Sequence, residues 1–229
     1  MPPGARRVWL FDLDNTLHNA TKAAFGHINV GMTDFIVSEL GLTQPEADAL
    51  RRHYWQRYGA TLLGLVRHHG VKPAHFLDHA HRLPGLEERV HGHAHDFAAL
   101  KRLRGAKVIL TNAPRDYTRR VLGALGIATW FDAVVSIEDM AMFGHLRPKP
   151  DTRMLRRLAV QLRVHPNRCV LVEDTLEHQK AARRVGMGTV WMQRWLLPWP
   201  SVAPGRPPRM HRRPAYVDKR VRRLAALCR

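Results

Sequence analysis

Apolar residues in this chain fall into short unbroken runs and longer interrupted stretches. The runs cover residues 8–11, 108–110, 169–172 and 189–192, each bounded by polar or turn residues. Strands buried on both faces read this way, whereas half-exposed strands alternate. Between the runs, apolar residues return at three- and four-residue spacing, as at Tyr117, Val121, Leu122 and Leu125, which is the period of a helix with one buried face. Strands alternating with helices predict βαβ units and an α/β fold built on a parallel sheet. Residues 134–136 are a further candidate strand, 216–217 a last short strand and 221–227 a last helix.

The interval 18–96 breaks the alternation. Its pattern predicts helix over 32–40, a helix start at Thr43 with Pro45 just inside it, and another helix over 54–66. An ordinary βα connection has roughly 2–6 residues, so this insertion predicts a helical cap domain at 18–96, standing on a core made of 1–17 and 97–229. Within the core, residues 194–214 hold six prolines among several arginines. Such a stretch cannot continue a helix or a central strand, and it reads as an irregular basic loop.

Composition narrows the setting. A hydrophobic content of 45% over 229 residues supplies a sizeable core, and no run approaches the roughly 18 apolar residues of a membrane span. Little chain precedes the first predicted strand, so a targeting leader is not expected. Cys169 lies inside an apolar run and Cys228 is penultimate, which fits a reduced, cytoplasmic setting better than a disulfide scaffold. The net charge of +18 favours anionic partners. Much of the excess lies beyond Arg194, where Asp218 is the one acid. That basic tail reads as a solvated segment; no RNA-reading motif accompanies it, and a nucleic-acid partner is not expected.

The chemistry concentrates where the runs end. The first is followed by Asp12 and Asp14, two carboxylates at the lip of a sheet, where ligands bind in open α/β folds. Their mutual repulsion calls for a cation, and oxygen ligands suit Mg²⁺. The second run leads into Thr111 and Asn112, a hydroxyl and an amide suited to phosphate oxygens. Lys149 stands between Pro148 and Pro150, one positive charge in a stiff loop, and the third run ends in Glu173 and Asp174. Taken singly, each has an ordinary structural explanation: a turn, a helix cap or a surface lysine. Taken together and in order, they describe a Mg²⁺-dependent phosphoryl-transfer site.

The order Asp12-x-Asp14-x-Thr16, Thr111-Asn112, Lys149 and Glu173-Asp174 resembles the haloacid-dehalogenase-like phosphohydrolase superfamily over roughly residues 8–192. The resemblance implies a Rossmann-like parallel-sheet core with a helical cap inserted after the first strand. It also implies that Asp12 is a nucleophile forming an aspartyl-phosphate, and that Asp14 is the acid and then the base. Thr111 and Lys149 would hold the phosphoryl group. Asp174 would ligate Mg²⁺ with Asp12 and the Asp14 carbonyl, and Glu173 would stand behind them. Asp14 speaks against the dehalogenase branch, because breaking a carbon–halogen bond needs no acid there. His178 stands in the turn where such relatives often have Asn, a departure expected to bear on metal affinity.

The segment from Tyr54 to Leu65, with the opening Phe11-Asp12-Leu13-Asp14-Asn15-Thr16-Leu17, is similar to the pyrimidine 5′-nucleotidase subfamily. The implied substrate is a small phosphate ester, a pyrimidine nucleoside monophosphate. Asn15, Tyr58 and Thr61 are then candidate substrate contacts, Tyr58 by stacking on a base and Thr61 by bonding to its edge. The competing reading makes Tyr54, Tyr58, Leu62 and Leu65 the packed face of a helix. Alternative functions are a phosphatase or phosphomutase for sugar phosphates, and a polyanion-binding protein that uses the basic tail. His91, His93 and His95 would share one face of an extended segment as metal ligands, but a solvated hinge is the simpler expectation.

Overall fold

The computed structural model describes residues 7–195 and 212–228, so most of the predicted 194–214 loop lies outside the described residues. Among the described residues, six parallel strands form one sheet: β1 (Val8–Phe11), β2 (Ala106–Leu110), β3 (Ala133–Val135), β6 (Cys169–Glu173), β7 (Gly188–Met192) and β8 (Lys219–Val221). Their order is β3-β2-β1-β6-β7-β8, the Rossmann-like α/β arrangement expected. A small antiparallel hairpin, β4 (Ala141–Met142) with β5 (His145–Leu146), stands beside it.

The apolar runs are explained by burial on both faces. Along β1, Trp9 and Phe11 enter one cluster with Ile109, Val172 and Val190. Val8 and Leu10 enter the opposite cluster with Val108, Leu110, Cys169 and Leu171. Successive side chains leave a strand on alternate sides, so a strand covered twice has no polar position to spare. Helices α6 (Ala94–Arg102) and α7 (Arg115–Ala124) cover the first face, and α8 (Thr152–Gln161) and α9 (Leu176–Val185) cover the second. Cys169 packs as a small apolar side chain, and both cysteines are free.

Between β1 and β2 the chain is helical. A π-helical turn (Thr21–Phe25) runs into α1 (Gly26–Leu40), followed by α2 (Gln44–Tyr58), α3 (Thr61–His69), α4 (Pro73–Ala80) and α5 (Leu86–Arg89). Phe35, Ile36, Tyr54, Leu65, Phe76 and Ala80 form a cluster of their own. Ala23, Ala24 and Ile28 at one end, and Leu83, Leu86 and Val90 at the other, pack instead into the sheet's cluster. The α2 helix starts where the Thr43–Pro45 pattern predicts, and Thr43 caps it through a reciprocal capping box with Glu46.

Three expectations need correction. The helix expected over 54–66 is two helices, because Gly59 takes a left-handed φ of 80° and ends α2, a conformation that glycine adopts without strain. The last strand is Lys219–Val221 and not 216–217, and a 3-10 helix, Leu224–Cys228, follows it. His91, His93 and His95 do not share an extended face, since His93 immediately precedes α6 and His95 lies within its first turn. Among the described residues they form no metal-ligating group. No helix in the described residues is long and apolar enough to cross a membrane.

Gly64 shows how tightly α2 and α3 pack. A Cβ at this position would fall within the ring of Tyr54, whose hydroxyl is held by His69 Nε2 at 2.8 Å. Gly64→Ala is therefore expected to cost about 1–3 kcal/mol by overpacking. Thermal denaturation should record this as a lowered Tm, and an unaltered Tm would mean that the ring has room to yield.

Candidate active site

Three adjacent strands deliver the acidic and polar groups to one edge. Phe11 pairs with both Ile109 of β2 and Val172 of β6. The residues that follow these partners therefore emerge side by side at the carboxyl ends of parallel strands. The Asp12 N–H still bonds the Val172 carbonyl at 3.0 Å, which fixes its backbone against β6. Asp12 and Glu173 are 6% and 1% exposed, and Lys149 is 2% exposed.

Lys149 joins two of the carboxylates. Its Nζ donates to Asp12 Oδ1 at 2.7 Å and to Glu173 Oε2 at 2.6 Å. Burial would lower the Lys149 pKa, but attraction to Asp12 and Glu173 outweighs it and holds the ammonium protonated above its ordinary range. Asn112 positions the loop from below: Lys149 N–H donates to Asn112 Oδ1, and Asn112 Nδ2 donates to the Lys149 carbonyl, each at 2.9 Å. The Asn112 side chain, expected to bind phosphate, is thus committed to the lysine's backbone. Thr111, 1% exposed, accepts the Ala113 N–H at 3.0 Å and keeps its own hydroxyl proton to donate.

Asp14 stands apart from this cluster. Its Oδ1 receives the Tyr117 hydroxyl at 2.7 Å and lies 2.9 Å from His18 Nε2. Burial, with Asp14 beside it, raises the Tyr117 phenol far beyond ordinary titration, so it remains a donor. Tyr117 and His18 have no sequence signature of their own; the first reaches Asp14 across 103 positions. His81, also on the cavity wall, points Nδ1 at the Leu77 carbonyl at 2.9 Å, and burial pushes its pKa down.

The carboxylates outnumber the lysine. Oxygens of Asp12, Glu173 and Asp174 all lie within 4.8 Å of one another. Burial and the neighbouring Glu173 push Asp12 up to about 7, and the same causes raise Asp174 well above the ordinary carboxylate range. Burial would raise Glu173 as well, but Lys149 and His178 hold it well below that range. His178 Nδ1 is 3.0 Å from Glu173 Oε2. Both Glu173 oxygens are engaged, one by Lys149 and the other by the Thr175 N–H at 3.1 Å. Asp12 Oδ2 and Asp174 Oδ2 are what remain for a cation, since Asp174 Oδ1 accepts the Thr175 hydroxyl at 3.3 Å. This all-oxygen donor set with surplus negative charge fits Mg²⁺. The Asp14 side chain, turned toward Tyr117 and His18, lies outside the set.

A cavity of about 570 Å³ opens above these groups, with Asp12, Asp14, Thr111, Lys149 and Asp174 among the residues lining it. Of the three candidate substrate contacts, only Thr61 lines it, and its hydroxyl donates to the Arg51 carbonyl at 3.0 Å. Tyr58 is instead packed into the helices, its hydroxyl 2.6 Å from His68 Nε2. The Asn15 amide is occupied by Thr21, which donates its N–H to Oδ1 at 3.0 Å and receives Nδ2 at 2.9 Å. Sequence reasoning passed over Arg51 and Trp55, which do line the cavity.

Known proteins place this geometry. Among curated proteins, the chain is 26% identical over 200 residues to Phosphate metabolism protein 8 of Saccharomyces cerevisiae, a match covering 82% of this chain and 62% of that one. It therefore spans less than two thirds of that relative's length. Among solved structures, it resembles a HAD phosphatase from Thermococcus onnurineus with a TM-score of 0.60 at 21% identity, covering 96% of this chain and 95% of that one. It also resembles the L-2-haloacid dehalogenase of Xanthobacter autotrophicus, with a TM-score of 0.57 at 16% identity, covering 97% and 96%. At such identities the likeness concerns the fold alone, and phosphatase and dehalogenase share it. Residues 7–186 match the family described as haloacid dehalogenase-like hydrolase. With that match over most of its length, and with the acidic groups gathered at one sheet edge, the chain belongs to the haloacid dehalogenase-like hydrolases.

Proposed function

We propose that the protein is a Mg²⁺-dependent phosphomonoesterase working through an aspartyl-phosphate, with a pyrimidine nucleoside 5′-monophosphate as substrate. The observation that carries the reaction class is Asp14, held at the lip of the site by Tyr117 and His18. An acid so placed serves an alkoxide leaving group and has no use in displacing halide.

Asp12 attacks phosphorus through a carboxylate oxygen. A P–O bond to Asp12 forms as the bond to the ester oxygen breaks, and Asp14 gives that oxygen its proton. Asp14, now ionised, takes a proton from water, whose oxygen attacks phosphorus and releases Asp12 with inorganic phosphate. Splitting hydrolysis at a carboxylate nucleophile replaces one difficult step with two easier ones. Thr111 and Lys149 hold the phosphoryl oxygens, and Asn112 contributes by fixing Lys149. Asp12, Asp174 and the Asp14 carbonyl would hold Mg²⁺, with Glu173 behind them, and the ion would supply the charge neutralisation that phosphoryl transfer requires. Residues 18–96 act as a cap over the cavity, and its wall selects the leaving group.

Phosphate release tests both levels of this reading. The expected result is Mg²⁺-dependent turnover of UMP and CMP, with AMP and glucose 6-phosphate markedly slower. Equal rates on all four would remove the pyrimidine assignment and favour a broader metabolite phosphatase. No release from any of them in the presence of Mg²⁺ would remove the phosphomonoesterase itself.

A further inference from the structure

We propose that Trp55 is the stacking wall for a planar, uncharged ring on the leaving-group side of the substrate, and that Asn29 meets that ring's edge. The inference deepens the phosphomonoesterase reading and rests on it for the position of the phosphate.

Trp55 is 64% exposed yet lines the same cavity as Asp12 and Asp14. Large apolar side chains left exposed beside a catalytic cavity are informative in a way that scattered surface ones are not. Among the described residues, no ring or cation packs against the indole. Tyr58, three residues on, is the opposite case, with the guanidinium groups of Arg57 and Arg67 at 5.9 and 5.8 Å from its ring centre and His68 beside it. One aromatic is already covered, and the other presents its face.

The rest of the wall fits a neutral ring. Phe25, Ile28, Met32, Leu62, Phe76 and Leu77 make most of it apolar. Besides Lys149, Arg51 lines the cavity one helical turn before Trp55, and its guanidinium is already engaged. Nε donates to Thr33 Oγ1 at 3.2 Å, Nη1 to Asn29 Oδ1 at 2.9 Å and Nη2 to Asp48 Oδ1 at 3.4 Å. With its charge matched by Asp48, Arg51 is a poor receptor for a second phosphate, which weighs against a bisphosphate ligand. By accepting from Arg51, the Asn29 oxygen fixes the amide, and Asn29 Nδ2 is left to donate to a ring carbonyl. A cavity of about 570 Å³ lies inside the range of roughly 300–1,000 Å³ usual for small-molecule sites.

The test compares UMP with ribose 5-phosphate, which has the same ester but no ring. Trp55→Ala is expected to reduce the UMP to ribose 5-phosphate ratio of kcat/KM by about ten- to a hundredfold, as base–aromatic stacking implies. The loss should fall mainly on KM for UMP, and Trp55→Phe should recover most of it. In an Asp12→Asn background with Mg²⁺, UMP should quench tryptophan fluorescence, and adding Trp55→Phe should remove the quench. If both esters are hydrolysed and Trp55→Ala leaves their ratio unchanged, the stacking wall is wrong while the phosphatase stands. If neither ester is hydrolysed but the quench depends on Trp55, the wall stands and the reaction is wrong.

Discussion

Asp12→Asn is expected to lower kcat for phosphate release by at least about 10⁴-fold, the scale seen when a covalent nucleophile is removed. The folded protein should not suffer for it. Asp12 is 6% exposed, and its ionised form is disfavoured by burial and by Glu173, which together push its pKa up to about 7. An amide keeps an oxygen for the Lys149 ammonium and removes one buried negative charge. In metal-free buffer the variant should therefore melt no lower than the parent, while Mg²⁺ should raise its Tm less than the parent's. Turnover within tenfold of the parent would mean that Asp12 is not the nucleophile, and a large fall in Tm would mean that its charge is structural.

The features legible in the sequence were those that burial or local chemistry imposes. Residues 8–11 and 169–172 had to be apolar throughout because both faces of β1 and β6 are covered. Asp12, Asp14, Glu173 and Asp174 stood out not singly, since acids after a strand often only cap a helix or make a turn, but by their order with Thr111-Asn112 and Lys149. Lys149 was legible through its flanking prolines, but the amide of Asn112 that grips its backbone looked like a phosphate ligand. Only the fold brings those two loops to 2.9 Å. Tyr117 and His18 were invisible for the same reason: their use lies in a contact with Asp14, and neither type is unusual where it stands. Trp55 and Tyr58 turned on helix phase. Three residues on an α-helix leave two side chains only about 60° apart, so spacing alone did not tell the ring on the cavity wall from the half-buried one held by His68. The break at Gly59 had a visible signal, a glycine inside a helical pattern, which the spacing of its apolar neighbours outweighed.

Lys149→Met should be the most destabilising change in the site, costing about 3–5 kcal/mol at pH 8 without metal, as removing one partner of a buried ion pair does. The lysine side chain is 1% exposed and is the cation donating to both Asp12 and Glu173. Its removal leaves three clustered carboxylates facing one another. The deficit should depend on pH with a definite sign. Asp12 titrates near 7 in the folded chain against an ordinary 3.8, so between those values the folded state binds more protons than the unfolded one. That group makes stability fall as pH rises from about 4 to 7. Glu173, held low by Lys149 and His178, acts in the opposite sense, its stabilisation being lost as pH drops below the ordinary carboxylate value. Without Lys149 the first tendency strengthens and the second weakens. Chemical denaturation of the variant should therefore show a smaller deficit at pH 5.5, where Asp12 takes up a proton, than at pH 8. Millimolar Mg²⁺ at pH 8 should recover part of the loss, because a divalent ion replaces the missing positive charge among the same oxygens. A deficit equal at both pH values and indifferent to Mg²⁺ would mean that Lys149 stabilises the fold by packing alone, and that the carboxylates it bridges are not the cation site proposed for them.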